Sequence, residues 1–178
     1  MRTFFVFDVE SIGLHGEGFA AAGGVYLENG SSLWEFKVAC PPDAAAGNCD
    51  DRKWVLENVP IIEPSHKTPR LMRDEFWNQW LNAREQHATM ATDCGWPVES
   101  KFLLQCVADD PERRNWEGPY PMVEISTYLT AAGMDPMKNY DRHPSELPKH
   151  DPLSDARQSA RLLCSAIDKI RFASEGRI

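Results

Sequence analysis

Along the first forty positions the apolar residues fall in runs, not in a helical stripe. Phe4 to Val9 is continuous, Phe19 to Leu27 is rich in Ala, Gly and Val, and Ser32 to Cys40 follows after Glu28-Asn29-Gly30. Runs of this length bounded by turn residues predict three strands, and the Asn-Gly step between the last two predicts a hairpin. The Pro, Ala, Gly and Asp of residues 41 to 51 predict a loop. Asp51 is then expected to cap a short helix carrying Trp54, Leu56 and Val59, which Pro60 and Pro64 stop. The period changes at Thr68-Pro69. Met72, Phe76, Trp80 and Ala83 recur every three or four residues and predict a helix, with Trp77 and Trp80 as packing residues.

His87 to Thr92 reads as a short strand, and Pro97 to Val107 as a helix with proline in its first turn. Residues 109 to 149 hold six of the 13 prolines, so this stretch is expected to be irregular except for a short strand or helix within Met122 to Ala132. The last segment carries the clearest helical signature. Asp151 suits the N-cap, Pro152 the first helical position, and Leu153, Ala156, Ala160, Leu163, Cys164, Ile167 and Ile170 form one apolar stripe. The order of elements predicts a mixed α/β fold and a single domain over residues 1–178, with irregular segments at about 41–66 and 109–149. The sequence contains no internal repeat and no low-complexity tract.

Composition narrows the class. Apolar residues make up 42% and charged residues 26%, which fits a globular chain and not a disordered one. A net charge of -8 argues against a high-affinity duplex binder, which would need a basic face. It argues less against an enzyme that handles a chain end, where bound Mg²⁺ supplies positive charge locally. The five cysteines are scattered and form no C-x-x-C pair, so no zinc or disulfide framework is expected and a reducing compartment is. Acidic residues at positions 8 and 10 cut the N-terminal apolar run too short for a signal peptide or a membrane span. The expectation is a soluble cytoplasmic protein with no membrane partner.

Candidate chemistry lies in three places. Residues two apart in a strand point to one side, so Asp8 and Glu10 leave the same face of the first strand while Val9 enters the core. Two such carboxylates repel each other in a poorly solvated site unless a hard cation such as Mg²⁺ joins them. Taken alone, the pair reads equally well as a solvated strand end. The longer string Asp8-Val9-Glu10-Ser11-Ile12-Gly13-Leu14 has the form D-x-E-[TS]-x-G-L. Asp93, in Met90-Ala91-Thr92-Asp93-Cys94-Gly95-Trp96-Pro97, follows the second strand region and precedes a helix, and by itself it could be a capping or turn residue. His150 and Asp155 in His150-Asp151-Pro152-Leu153-Ser154-Asp155-Ala156 show an H-x4-D spacing at the start of an amphipathic helix.

These strings, in this order, resemble the motifs of the DEDDh 3′–5′ exonuclease superfamily, which includes oligoribonuclease, RNase T and proofreading exonucleases; the chain size is nearest the compact exoribonuclease-like branch. The resemblance implies an RNase H-like fold, with a mixed central β-sheet flanked by α-helices. It implies a site for two Mg²⁺ or Mn²⁺ ions held by Asp8, Glu10, Asp93 and Asp155, with His150 as general base. The substrates would be 3′ ends of single-stranded or short RNA or DNA, and the products nucleoside 5′-monophosphates. Ser11, Gly13, Leu14 and Trp96 are expected at the terminal nucleotide, Gly13 by letting the backbone pass close to it. Lys101, Lys149, Arg157 and Arg161 read as phosphate contacts, or equally as a solvated face or a dimer contact, since relatives of this type are often homodimers. His15, His66, His87 and His143 have no comparable context. Two other classes remain open at this level: a catalytically reduced module that binds nucleic acid or protein, and a two-metal phosphohydrolase acting on a small nucleotide.

Overall fold

The computed structural model describes residues 2–175. Five strands form one sheet: β1 (Thr3–Ser11), β2 (Gly18–Leu27), β3 (Ser32–Ala39), β4 (Thr89–Thr92) and β5 (Val123–Glu124), in the order β3-β2-β1-β4-β5. β1, β2 and β3 are antiparallel neighbours, and β2 and β3 form the hairpin that the Asn-Gly signal predicted. β4 runs parallel to β1, and β5 parallel to β4. The sheet is therefore mixed and open, with helices α1 (Cys49–Asn58), α2 (Pro69–Glu85), α3 (Val98–Asp109), α4 (Pro111–Arg114), α5 (Ile125–Ala131) and α6 (Pro152–Glu175) around it.

Alternation along β1 divides the interior in two. Phe5, Phe7 and Val9 enter one cluster with Met72, Phe76, Trp77 and Trp80 of α2 and Phe102 of α3. Phe4 and Val6 enter the other with Ile125 and Leu129 of α5 and Ala160, Leu163, Ala166 and Ile167 of α6. The central strand is thus apolar on both faces over its first half. Asp8 and Glu10 continue the face of Phe4 and Val6, which places them beyond the apolar part of the α6 interface and beside the start of α6.

Phe76 is the hub of the first cluster. It is fully buried, and its ring meets those of Phe5, Phe7, Phe36 and Phe102 at centroid distances of 4.9–5.9 Å. α2 is capped by Thr68, whose hydroxyl accepts from Leu71 N at 3.3 Å. Buried Arg73 on the same helix ties the β1–β2 loop and the end of α3 to it, donating to Glu17 at 2.6 Å and to Asp109 at 2.6 and 3.1 Å.

Two expectations need correction. α1 begins at Cys49, and its N-cap is Asn48, which accepts from Asp51 N at 2.8 Å; Asp51 lies inside the first turn. Asn is as good a cap as Asp, and Asn48, Asp50 and Asp51 within four positions left the choice open. In the stretch 109–149, β5 and α5 fall within Met122–Ala132, where a short strand or helix was expected, but α4 and a 3₁₀ turn at Pro144–Glu146 add order that the prolines did not suggest. Tertiary contacts outweigh local propensity here. Trp77 Nε1 and Trp80 Nε1 both donate to Glu117, at 2.9 and 2.8 Å, and Arg114 pairs with Asp74 at 2.6 Å. No helix among the described residues is long and apolar enough to cross a membrane.

Replacing Phe76 by Ala should remove about 3–5 kcal/mol of stability, read as a lowered urea midpoint with the same slope. A loss under about 1 kcal/mol would show that the aromatic cluster can collapse around the gap.

Candidate active site

The site forms where the C-terminal end of β1 meets the N-terminal end of α6. Asp151 caps α6, its Oδ1 accepting from Leu153 N at 3.2 Å and Ser154 N at 3.1 Å. Lys37 of β3 holds the other oxygen of Asp151. One turn further on, Asp155 is presented from a fixed helix. Side-chain atoms of Glu10, His150 and Asp155 lie within 4.8 Å of one another, and among the described residues this is the group with metal-binding spacing. Two of the sequence motifs, 140 residues apart, therefore meet in space.

His150 occupies a left-handed backbone conformation, φ 60°, which is uncommon for a non-glycine residue. Its N–H donates to Asp155 Oδ2 at 3.2 Å, and its ring meets Trp54 edge to face at a centroid distance of 5.6 Å. The ring is therefore exposed and oriented on one side by an aromatic neighbour. Asp155 Oδ1 accepts from Arg142 Nη1 at 2.5 Å, and the same Nη1 donates to the carbonyl of Glu146 at 2.9 Å.

Electrostatics draw the other motif acids into the same cluster. Burial raises Asp8 well above the usual carboxylate range, and Glu99, Glu10, Asp155 and Asp93 add to the shift. Glu10 is pushed up to about 8, first by burial and then by Asp155, Glu99 and Asp151. Asp93 is raised by burial, Asp155 and Glu124, with Arg142 acting the other way. Glu99, in the first turn of α3, is raised to about 7, chiefly by burial. It is an acid that sequence reasoning missed, because a glutamate near a helix start is the ordinary partner of the helix dipole. Asp8, Glu10 and Glu99 thus share a poorly solvated corner with Asp155, and Asp93 stands exposed at its rim; their oxygen donors suit a hard divalent cation such as Mg²⁺ or Mn²⁺.

Beside this corner is a pocket of about 360 Å³ lined by Val9, Glu10, Ser11, Gly13, Leu14, Asp51, Trp54, Val98 and His150. Three of the four residues expected at a terminal nucleotide, Ser11, Gly13 and Leu14, are in it. Trp96 is not among the lining residues; it sits 74% exposed on the loop after β4. The aromatic residue that lines the pocket is Trp54. Its closeness to His150 bridges almost a hundred residues of sequence, and no local pattern signals it. Gly13 also has a reason within the fold itself. With φ +70° and the Asp51 carboxyl 2.2 Å from where a Cβ would stand, the turn admits only glycine. Ser11 closes that turn by donating to the Gly13 carbonyl at 2.8 Å.

The expected phosphate contacts are engaged elsewhere. Arg157 pairs with Glu35 at 2.5 Å and Arg161 with Glu146 at 2.6 Å, so both fasten α6 to its neighbours. Lys101 donates to the His15 carbonyl and Lys149 to Asn139. No family model matches the chain, and no curated protein matches it.

A carboxyl whose pKa is raised by folding binds more protons in the native than in the unfolded state, so stability falls as pH rises between the two values. For Glu10 and Glu99 this window runs from 4.5 to about 8 and from 4.5 to about 7. The carboxylates lowered by folding (Glu28, Glu35, Glu146 and Asp151) lose their stabilising effect only on the acid side of this window. The melting temperature in chelator should therefore fall between pH 5 and 8, and millimolar Mn²⁺ should restore it most at the alkaline end. A melting temperature that is flat in pH and indifferent to Mn²⁺ would contradict the crowded-carboxylate account.

Proposed function

We propose that this chain is a metal-dependent 3′–5′ exonuclease of the DEDDh type, built on an RNase H-like fold. It would hydrolyse the terminal phosphodiester of single-stranded or short RNA or DNA and release nucleoside 5′-monophosphates. The observation that carries this reading is the convergence of Glu10, Asp155 and His150 within 4.8 Å, next to a pocket lined by Leu14 and Trp54. Acids, imidazole and a partly apolar pocket are what a reaction at the end of a chain requires: charge for the phosphate, a base for water and a seat for the last nucleoside. The sheet order, with three antiparallel strands followed by two parallel ones, supports the RNase H-like assignment.

Asp8, Glu10, Asp93 and Asp155 would hold two divalent cations, which when bound supply positive charge to the phosphate and lower the pKa of water. The chain's own residues do the rest. His150 takes a proton from the attacking water, and its exposed position lets the ring approach and withdraw. Asp155 anchors the backbone of His150 through the N–H bond, so the ring swings from a fixed point beside the ligand carboxylate. Trp54 offers its face to the terminal base and Leu14 offers an apolar edge, a mode of gripping single strands that tolerates any base. Asp51 lines the same pocket and would accept from a sugar hydroxyl. The five cysteines are free, which supports a reducing, cytoplasmic setting.

The test uses 5′-labelled RNA and DNA oligonucleotides with Mg²⁺ or Mn²⁺. Wild type should give a ladder that shortens from the 3′ end. Asp8→Asn and His150→Ala should each slow it by at least about 100-fold while remaining folded by circular dichroism. An undiminished ladder in Asp8→Asn, or no cleavage by folded, metal-supplemented wild type, would overturn the proposal; the second outcome would favour a binding module. Trp54→Ala should raise KM about tenfold with a smaller effect on kcat, the pattern of a lost stacking contact.

A further inference from the structure

Among the described residues, Asp155 is the one acid of the five in the site that forms an ion pair, and its partner is Arg142. The pairing is built, not incidental. Arg142 comes from the segment just before the third motif, and its side chain is only 13% exposed. Its Nη1 is shared between Asp155 Oδ1 and the carbonyl of Glu146, and its Nε is buried with no hydrogen-bond partner. Leaving a buried donor unpaired is costly, and a surface arginine would turn to water instead. Glu146, itself 3% exposed, is clamped by Arg161 at 2.6 and 2.8 Å and accepts from His143 N at 3.0 Å. The 3₁₀ turn therefore acts as a strut that presents the guanidinium to Asp155.

A fixed positive charge at this place has a definite effect. Any cation that uses Asp155 shares it with Arg142, whose nearness lowers the attraction of the site for that cation. Asp155 Oδ1 takes the guanidinium at 2.5 Å and Oδ2 only the longer His150 N–H bond at 3.2 Å, so Oδ2 is the oxygen more open to a cation. A phosphodiester brings negative charge to the same corner and offsets the guanidinium. By linkage, whatever the substrate does for cation binding the cation does for substrate binding.

On the reading of the site as a divalent-metal centre, we propose that Arg142 is a built-in counter-ion that keeps cation affinity low in the absence of nucleotide and so couples metal loading to the arrival of a phosphate. Arg142 is a positioning residue here: it acts through Asp155.

Mn²⁺ binding, followed by the electron paramagnetic resonance signal of free Mn²⁺, tests this without recourse to turnover. R142Q and R142M, the second filling the space without charge or donor, should each bind Mn²⁺ about tenfold more tightly than wild type, while R142K stays near wild type. Uridine 5′-monophosphate, corrected for its own Mn²⁺ binding, should tighten Mn²⁺ binding more in wild type than in either neutral variant. Neutral variants that bind Mn²⁺ no more tightly than wild type would overturn the role of Arg142 and leave the metal centre standing. Absence of saturable Mn²⁺ binding by wild type would instead remove the metal-centre reading itself.

Discussion

Mutual repulsion among Asp8, Glu10, Asp93, Glu99 and Asp155 is the constraint to which the rest of the molecule is fitted. Such a group, partly removed from water, tends to push its own scaffold apart, and the scaffold answers with rigidity on each side. β1 is held in the middle of the sheet by partners on both edges and by apolar contacts on both faces. α6 is held at its first turn by the Asp151 cap and its Lys37 anchor, and along its length by Arg157 and Arg161. Asp8, Glu10 and Asp155 stay close because neither β1 nor α6 can move away independently.

The same arrangement explains why one strand carries both core and site. The face of β1 that packs Phe4 and Val6 against α6 becomes polar two residues later, where the helix begins and its side chains no longer fill the space. Alternation puts Asp8 and Glu10 on that face, and Ala22, paired with Asp8 across the ladder, takes up little room. The acids sit at the end of the interface because there the apolar contacts run out while the backbone is still fixed.

Much of this was legible in the sequence wherever a signal was local. The three N-terminal strands, the periodicity of α2 and the Asp151-Pro152 start of α6 all depend on neighbours within a few residues, and they appear as expected. The motif acids were legible because spacing within a strand and within a helix turn determines which side chains share a face. What escaped was set by distance along the chain. Trp54 meets His150, Arg142 meets Asp155 only through a 3₁₀ turn stabilised by Arg161, and Arg157 finds its partner on β3. The proline-rich stretch before the third motif was expected to be irregular because its order is supplied from outside, by Trp77, Trp80 and Asp74 on α2 and by Arg161 on α6.

Lys37 lies on the edge strand, and its hold on Asp151 has a consequence beyond capping. Tyr26 and Arg157 both reach Glu35 on the same edge strand, so the β2–β3 hairpin and the first turns of α6 are stitched together at several points. A helix end usually frays on its own, with exchange of its amide hydrogens close to that of a free chain. Here fraying would require the hairpin edge to detach as well. The N-terminal turn of α6 and the outer strand of the sheet should therefore behave as one cooperative unit. Protection from hydrogen exchange would then be as deep at Asp155 as in the middle of the helix, and the third motif would belong to the last part of the molecule to open.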